Sequence, residues 1–150
     1  ASSIIASSQV SGAKVECDIK AGVLSETHKI TIKAQTSDEN HYEKEIFLFI
    51  AYDEDDSFDK QPRDRFYILN DFTEDIKSEL IDSAEVLAER VVDEADFTSI
   101  VIDSTIISGR KLLVKVKSGY SGEYYRIIMQ AVDTAGNKYQ KNVVMGVYDV

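Results

Sequence analysis

Apolar and polar residues alternate along most of this chain, which is the pattern of strands that bury one face. The alternation is clearest over residues 14–21, 28–34, 99–107 and 111–117. Residues 46–52 are apolar at nearly every position, which indicates a strand that is covered on both faces. Because helices do not alternate with these strands, the pattern predicts an antiparallel β-sandwich and not a parallel sheet.

The last part of the chain predicts a hairpin. Residues 124–132 and 138–148 both alternate, and the segment between them reads Asp-Thr-Ala-Gly-Asn, a composition typical of turns. With this pair of strands, the predicted fold is mainly β and has six or seven strands.

Residues 71–92 follow a different period. Their apolar residues recur at helical spacing and acidic residues fill the opposite face. The apolar positions are Phe72, Ile76, Leu80, Ala84, Leu87, Ala88 and Val91. Asp71 and Glu74 stand at the spacing of a capping box, with Asp in place of the usual Ser or Thr. The sequence therefore predicts one amphipathic helix, at about 72–92, between the halves of the sandwich.

The N-terminal residues have no clear period. Residues 1–13 are rich in serine, which predicts a flexible arm or, alternatively, an arm that orders only against a neighbouring subunit. Residues 14–150 have the length of a single domain, so we expect one sandwich with a helical insertion.

Charge narrows the classes of partner. The chain has 17 Lys and Arg residues against 27 Asp and Glu residues, a formal net charge of -10. This charge argues against binding to nucleic-acid phosphates, which needs clustered Lys and Arg, and against docking on anionic membranes. The one cysteine, Cys17, excludes an internal disulfide framework and alternates with Val15 and Ile19, as a small core side chain would.

The charges are also unevenly distributed. Residues 71–96 include ten acids and two bases, whereas residues 110–141 include seven bases and two acids. One interpretation is a solvated helix beside a basic sheet edge, where lysines prevent edge pairing. The other is head-to-tail assembly, in which the acidic face of one copy meets the basic face of the next. The candidate interface residues are Glu74, Glu85, Glu89, Lys115, Lys117 and Lys141.

An acidic stretch after residue 52 has the spacing of a calcium-binding loop. Positions one, three, five, seven and twelve of such a loop supply oxygen ligands. The matching residues are Asp53, Asp55, Ser57, Asp59 and Asp64. Phe58 takes the sixth position, where glycine normally allows the sharp turn, and Asp64 is shorter than the usual glutamate. The alternatives are therefore a calcium site and a solvated acidic loop without a cofactor.

The sequence contains little that indicates a catalytic site. His28 and His41 are neither beside a Gly-x-Ser-x-Gly elbow nor at metal-ligand spacing from another histidine. The sequence contains no Walker loop and no dinucleotide-binding fingerprint. We therefore expect a protein that is not an enzyme.

The final hairpin carries a family resemblance. It reads Gly-x-Tyr, then alternating apolar residues, then Ala-x-Asp-x-x-Gly-Asn, and it resembles the last hairpin of bacterial and phage immunoglobulin-like domains. The matching residues are Gly122, Tyr124, Ala131, Asp133, Gly136 and Asn137. The resemblance implies that Tyr124 makes a tyrosine-corner hydrogen bond. Residues 100–149 resemble, more loosely, small immunoglobulin-like proteins of tailed-phage virions, although the chain lacks the cysteine pair and core tryptophan of antibody domains.

The resemblance implies a non-enzymatic structural protein that decorates a phage capsid or joins head and tail. Its partners would be capsid, portal or tail subunits and further copies of itself, in a virion assembled in the host cytoplasm. The first alternative is a calcium-assisted adhesion or ligand-binding module. The second is an acidic decoy for nucleic-acid-binding proteins, against which the basic stretch at 110–141 argues.

Overall fold

Strands account for most of the residues that the computed structural model describes, which are 5–19, 26–51, 56–76 and 79–149. Within these residues there are eleven strands and one short helix. In chain order they are β1 Ile5–Ser11, β2 Lys14–Ile19, β3 Thr27–Gln35, β4 His41–Ala51, β5 Asp56–Lys60, β6 Phe66–Asp71, β7 Ile81–Arg90, α1 Thr98–Val101, β8 Ile102–Ser108, β9 Lys111–Val116, β10 Tyr124–Asp133 and β11 Lys138–Val147.

Two sheets face each other and a separate hairpin lies beside them. The four-stranded sheet has the order β5-β11-β10-β7, the five-stranded sheet has the order β3-β4-β6-β9-β8, and β1 pairs with β2. Neighbouring strands are antiparallel except for β4 with β6 and β5 with β11, which are parallel. The predicted mainly β sandwich is therefore confirmed, with more strands than the six or seven expected.

The core lies between the two sheets. Every second residue of β6, β9 and β10 is buried, and these residues come from both sheets. Phe58 stacks between Phe49 and Phe66, with ring centroids 4.9 and 4.5 Å from its own. Burial of each side chain of this size stabilises the fold by about 1.5–3 kcal/mol. The inward apolar residues that produce the alternation in the sequence therefore hold the two sheets together.

The prediction of a helix at about 72–92 is wrong, because residues 81–90 form strand β7, which pairs with β10. Val86 and Ala88 turn inward with Ala84, whereas Leu87, at helical spacing from Ala84, is 38% exposed on the outer face. A register shift in the pairing with β10 also lets Ile81 face the core. Pairing with a buried neighbour strand thus overrides a spacing that fits a helix equally well.

What remains of the predicted helix is one turn at its start. The Asp71 carboxylate accepts a hydrogen bond of 2.9 Å from the backbone N–H of Thr73, and the Ile76 N–H donates to the Phe72 carbonyl at 2.7 Å. The helix that the structure does contain, α1, has four residues. No helix in the described part of the chain has the length and apolarity that a membrane span requires.

Much of the predicted N-terminal arm is a strand. Residues 5–11 pair with 14–19 in an antiparallel hairpin, and Gly12 in the turn between them has a φ of 61°. Residues 7–11 are exposed on both faces, so no alternation of polarity marks them in the sequence. Ile5 packs on the outer face of the five-stranded sheet.

Part of the acidic stretch after residue 52, whose sequence fits a calcium site or a solvated loop, is strand β5. Phe58 and Lys60 are buried, and Ser57 and Asp59 are exposed on the other face. The Lys60 ammonium donates to the Gln61 carbonyl at 2.7 Å. Burial lowers the pKa of Lys60, and the nearby Asp64 carboxylate offsets part of that effect. The phenylalanine at the sixth loop position is therefore a core residue.

Candidate functional site

The turn of the last hairpin is a structural unit. The Asp133 carboxylate is buried and accepts hydrogen bonds from the backbone N–H of Ala135 at 3.0 Å and of Asn137 at 2.8 Å. The Tyr139 hydroxyl donates to it at 3.2 Å. Burial acts to raise the pKa of the Asp133 carboxyl, but the bonds from Asn137 and Tyr139 outweigh it, and the pKa lies below its usual value. Asp133 and Asn137 therefore fix the turn, and the Asp133 carboxylate is already used in hydrogen bonds within the chain.

The tyrosine corner belongs to Tyr125 and not to Tyr124, one residue from the position that the resemblance implied. Tyr125 is fully buried, and its hydroxyl accepts a hydrogen bond of 3.0 Å from the backbone N–H of Tyr120. Burial raises the pKa of Tyr125. Tyr124 points outward, is 46% exposed, and meets the ring of Tyr148 edge-on at 5.8 Å.

The predicted calcium ligands are only partly within the described residues. Asp53 and Asp55 lie outside them. Ser57 and Asp59 lie on β5, and the Asp64 carboxylate accepts a hydrogen bond of 2.9 Å from the backbone N–H of Gln61. In the ranges that the structure describes, no three His, Cys, Asp or Glu side chains come together in a way that could hold a metal ion. A calcium site stays a prediction.

The predicted acidic face is divided between two places. Glu74 lies in the exposed turn before β7, whereas Glu85 and Glu89 lie on the outer face of β7 itself. Glu89 forms an ion pair of 2.8 Å with Arg126 on the neighbouring strand. These three acids therefore do not share the helix face on which their grouping depended.

The predicted basic edge is divided as well. Lys115 forms an ion pair of 3.2 Å with Asp103. The Lys141 ammonium lies 3.4 Å from the Asp75 carboxylate, and Lys117 is exposed just after β9. Lys115 and Lys141 thus each have an acidic partner within the chain.

The outer part of the β3–β4 hairpin projects from the sandwich. Strands β3 and β4 pair without a register shift from Thr27 opposite Phe49 to Gln35 opposite His41. The next strand, β6, pairs with β4 only from Phe47 onwards. Residues 31–35 and 41–45 therefore extend beyond the sandwich as a two-stranded ribbon, and every residue of 41–45 is exposed. We call residues 31–45 the ribbon.

The two faces of the ribbon differ. Ile32, Ala34 and Tyr42 share one face with Lys44, and Tyr42 is 57% exposed on it. The other face carries ion pairs between Lys33 and Glu43 at 3.8 Å and, at its base, between Lys29 and Glu45 at 2.8 Å. The hydrogen bond to Glu45 raises the pKa of Lys29. The ribbon thus has one largely apolar face and one ion-paired face.

The tip of the ribbon is ordered by its own turn. The Asp38 carboxylate accepts hydrogen bonds from the Thr36 hydroxyl and from the Asn40 side-chain amide, the latter at 2.9 Å. The bond from Thr36 is the main reason why the pKa of Asp38 lies below its usual value. The Thr36 N–H donates to the Asn40 carbonyl at 2.9 Å and closes the turn. The turn at the tip is therefore closed by hydrogen bonds within the ribbon itself.

The apolar face of the ribbon continues onto the sandwich. Buried residues on the outer face of the five-stranded sheet form a second cluster, separate from the main core. This second cluster consists of Ile30, Leu48 and Ile50. Ile5 of the N-terminal hairpin packs on this cluster, and Ile32 of the ribbon is at its margin. Apolar surface thus runs from covered positions at the base of the ribbon to exposed ones at its tip.

The second strand of the ribbon escapes the sequence pattern, although a signal for it exists. Tyr42, Lys44 and Ile46 alternate with Glu43 and Glu45, but only Ile46 and Tyr42 on that face are apolar. By hydrophobicity alone, the apolar run therefore begins at residue 46.

Comparison with known proteins adds no functional assignment. No family model matches the chain, and no curated protein matches it.

Proposed function

We propose that this chain is a non-enzymatic structural protein of a tailed-phage virion, which decorates the capsid or joins head and tail through protein–protein contacts. The observation that carries the proposal is the ribbon, which projects from the sandwich with an apolar face that no described residue covers at Tyr42. The resemblance of the last hairpin to phage immunoglobulin-like domains supports the setting.

A projecting ribbon of this kind suits contact with another protein. Two-stranded hairpins are marginally stable in water, so a ribbon gains stability when its apolar face is covered. Tyrosine is enriched at the centres of protein interfaces, because it buries a large ring while its hydroxyl stays hydrogen-bonded. Tyr42, flanked by Ile32 and Ala34, provides such a centre.

The proposed partners are capsid, portal or tail subunits, in particles that assemble in the host cytoplasm. A symmetric particle presents many copies of one binding site. Weak contacts through a small ribbon then add up through effective concentration.

Incorporation into particles tests the proposal. A tagged chain carrying Ile32→Ser and Tyr42→Ser would be produced during infection with the phage that encodes it. We expect this variant to be lost from purified particles while the wild-type chain is retained. The matched control is Tyr120→Ser, which alters a tyrosine that is exposed to a similar degree but lies away from the ribbon.

Circular dichroism must show that both variants are folded. Absence of the wild-type chain from particles would contradict the virion role. Retention of the doubly substituted chain would contradict the role of the ribbon.

A further inference from the structure

The free edge of strand β4 is the starting point. The Phe47 N–H donates to the Arg65 carbonyl at 2.8 Å, towards β6, and the Ile50 N–H donates to the Glu26 carbonyl at 3.1 Å, towards β3. Backbone direction alternates along a strand, so the N–H and C=O groups of Glu43 and Glu45 point away from β3. In the described part of the chain, no strand pairs with that edge over 41–46.

We propose that this edge pairs with the same edge of a second copy of the chain, antiparallel and centred on Glu43. This inference names a partner for the ribbon and rests on its proposed role as a contact surface. The two ribbons would join into one four-stranded sheet around a two-fold axis, which is the commonest symmetry of protein dimers.

The residues along the edge are complementary to themselves in this register. Tyr42 of each copy lies opposite Lys44 of the other, at a position without backbone hydrogen bonds, where side chains approach most closely. A lysine over a tyrosine ring is attractive. On the opposite face, His41 lies opposite Glu45 of the second copy. Glu43 faces Glu43, and each of these carboxylates already has Lys33 as a partner within its own chain.

The edge that would form the contact carries only a small part of the chain's net charge. The whole chain carries a net charge of -10, so copies repel each other at most orientations. Residues 41–46, which form the contact, contain one lysine and two carboxylates, a net charge of -1. Lysine on an edge strand usually prevents pairing with another strand. In the proposed register, Lys44 instead lies against Tyr42 of the second copy.

Pairing also extends the apolar face. Ile32, Ala34 and Tyr42 of both copies come to lie on the same side of the joined sheet, with Lys44 of each copy among them. This gives a broader apolar surface for a particle subunit than one ribbon offers.

A proline substitution tests the pairing and leaves the backbone hydrogen bonds between β3 and β4 in place. The Glu43 N–H points to the free edge, so Glu43→Pro removes a hydrogen bond only from the proposed dimer, and proline is tolerated at such edge positions. Sedimentation equilibrium should show the wild-type chain approaching twice its mass of 16.8 kDa as concentration rises. We expect Glu43→Pro to weaken the dimer at least about tenfold, since the two Glu43 residues exchange two hydrogen bonds.

The matched control is Glu43→Gln, which keeps the N–H and removes the repulsion between the two carboxylates. It should dimerise at least as well as the wild-type chain. Dimerisation of the proline variant at the wild-type strength would overturn the proposal, as would a wild-type chain that stays monomeric up to about 1 mM, the range of the weakest specific contacts.

Disulfide trapping gives a second readout. In a Cys17→Ser background, Glu43→Cys places two thiols directly opposite each other, within the range of a disulfide. Lys33→Cys is the control, because its thiols would be three strand spacings apart, about 14 Å. Oxidation should give covalent dimers of the first variant and not of the second. Equal cross-linking of both, or of neither, contradicts the proposed register.

The outcomes separate this inference from the proposed function. A monomeric chain whose Ile32 and Tyr42 variant is lost from particles would overturn the dimer and leave the ribbon as a contact surface. A wild-type chain that dimerises, together with particles that retain the Ile32 and Tyr42 variant, would leave the dimer standing. It would overturn the ribbon as the contact with particle subunits.

Discussion

The last hairpin and the β3–β4 hairpin are similar as local structures and differ in what surrounds them. Both are long antiparallel pairs without a register shift, and both are closed by a turn that an aspartate organises. Every inward residue of β10 from Tyr125 to Ala131 is buried, whereas 41–45 of β4 are exposed. Pairing alone therefore does not decide the role of a hairpin. What decides it is whether its apolar face already has a partner.

The largest expected difference between the two hairpins is in core packing. Ile127→Ala leaves a cavity among fully buried residues and should lower the free energy of unfolding by about 3 kcal/mol. Ile32→Ala, the matched change on the ribbon, should cost below about 1 kcal/mol, because Ile32 is partly exposed already. Urea unfolding of the two variants measures both. Equal losses would show that the ribbon is part of the folding core.

The two turns should respond differently to acid. The pKa of Asp133 is lowered in the folded state, so its carboxylate adds stability above the pKa of the unfolded chain, and this stability is lost as pH falls through the folded pKa. Asp133→Asn should therefore flatten the fall in melting temperature between about pH 5 and pH 2. Asp38→Asn should change it less, since Asp38 is exposed. The same slope for Asp133→Asn and the wild-type chain would contradict this account.

The two tyrosines at the start of β10 sharpen the comparison within a single hairpin. Tyr125→Phe removes the hydroxyl that accepts the Tyr120 N–H, and should lower the free energy of unfolding by about 1–2 kcal/mol. Tyr124→Phe should stay within about 0.5 kcal/mol of the wild-type value, as exposed substitutions do. Thermal unfolding of both variants tests this. A larger loss from Tyr124→Phe would return the tyrosine corner to the residue that the resemblance implied.

Calcium should have the smallest effect. We expect a shift in melting temperature below about 1 °C on adding calcium at about 1 mM, the affinity range of weak extracellular sites. Magnesium at the same concentration is the control. A shift of several degrees for calcium alone, lost in Asp59→Asn, would favour the adhesion module. It would also place a ligand site on the four-stranded sheet, which contains both β5 and the last hairpin.

The sequence predicted strands best where a sheet has one buried face. The alternation of β9, β10 and β11 arises from burial on one side, and these strands were predicted close to their observed bounds. Residues 7–11 of β1 and the outer part of β4 are exposed on both faces, so burial leaves no period in them. Strand β7 does alternate, but its exposed Leu87 completes a helical spacing that the sequence cannot distinguish from the strand pattern.

The candidate site was less predictable than the fold for a physical reason. Charge counts along the chain do not show which charges pair in space, and Glu89 meets Arg126 only because β7 and β10 are neighbours. The ribbon likewise depends on where β6 stops pairing with β4, which is a property of the sheet and not of the residues 41–45 themselves.

Hydrogen exchange of the chain, free and within purified particles, tests the central claim most directly, because it compares the two hairpins in one experiment. Backbone amides of the ribbon, residues 31–45, should become protected in particles, and those of β10 and β11 should be equally protected in both states. Ribbon amides that exchange as fast in particles as in the free chain would show that the exposed face stays uncovered, and would contradict the account.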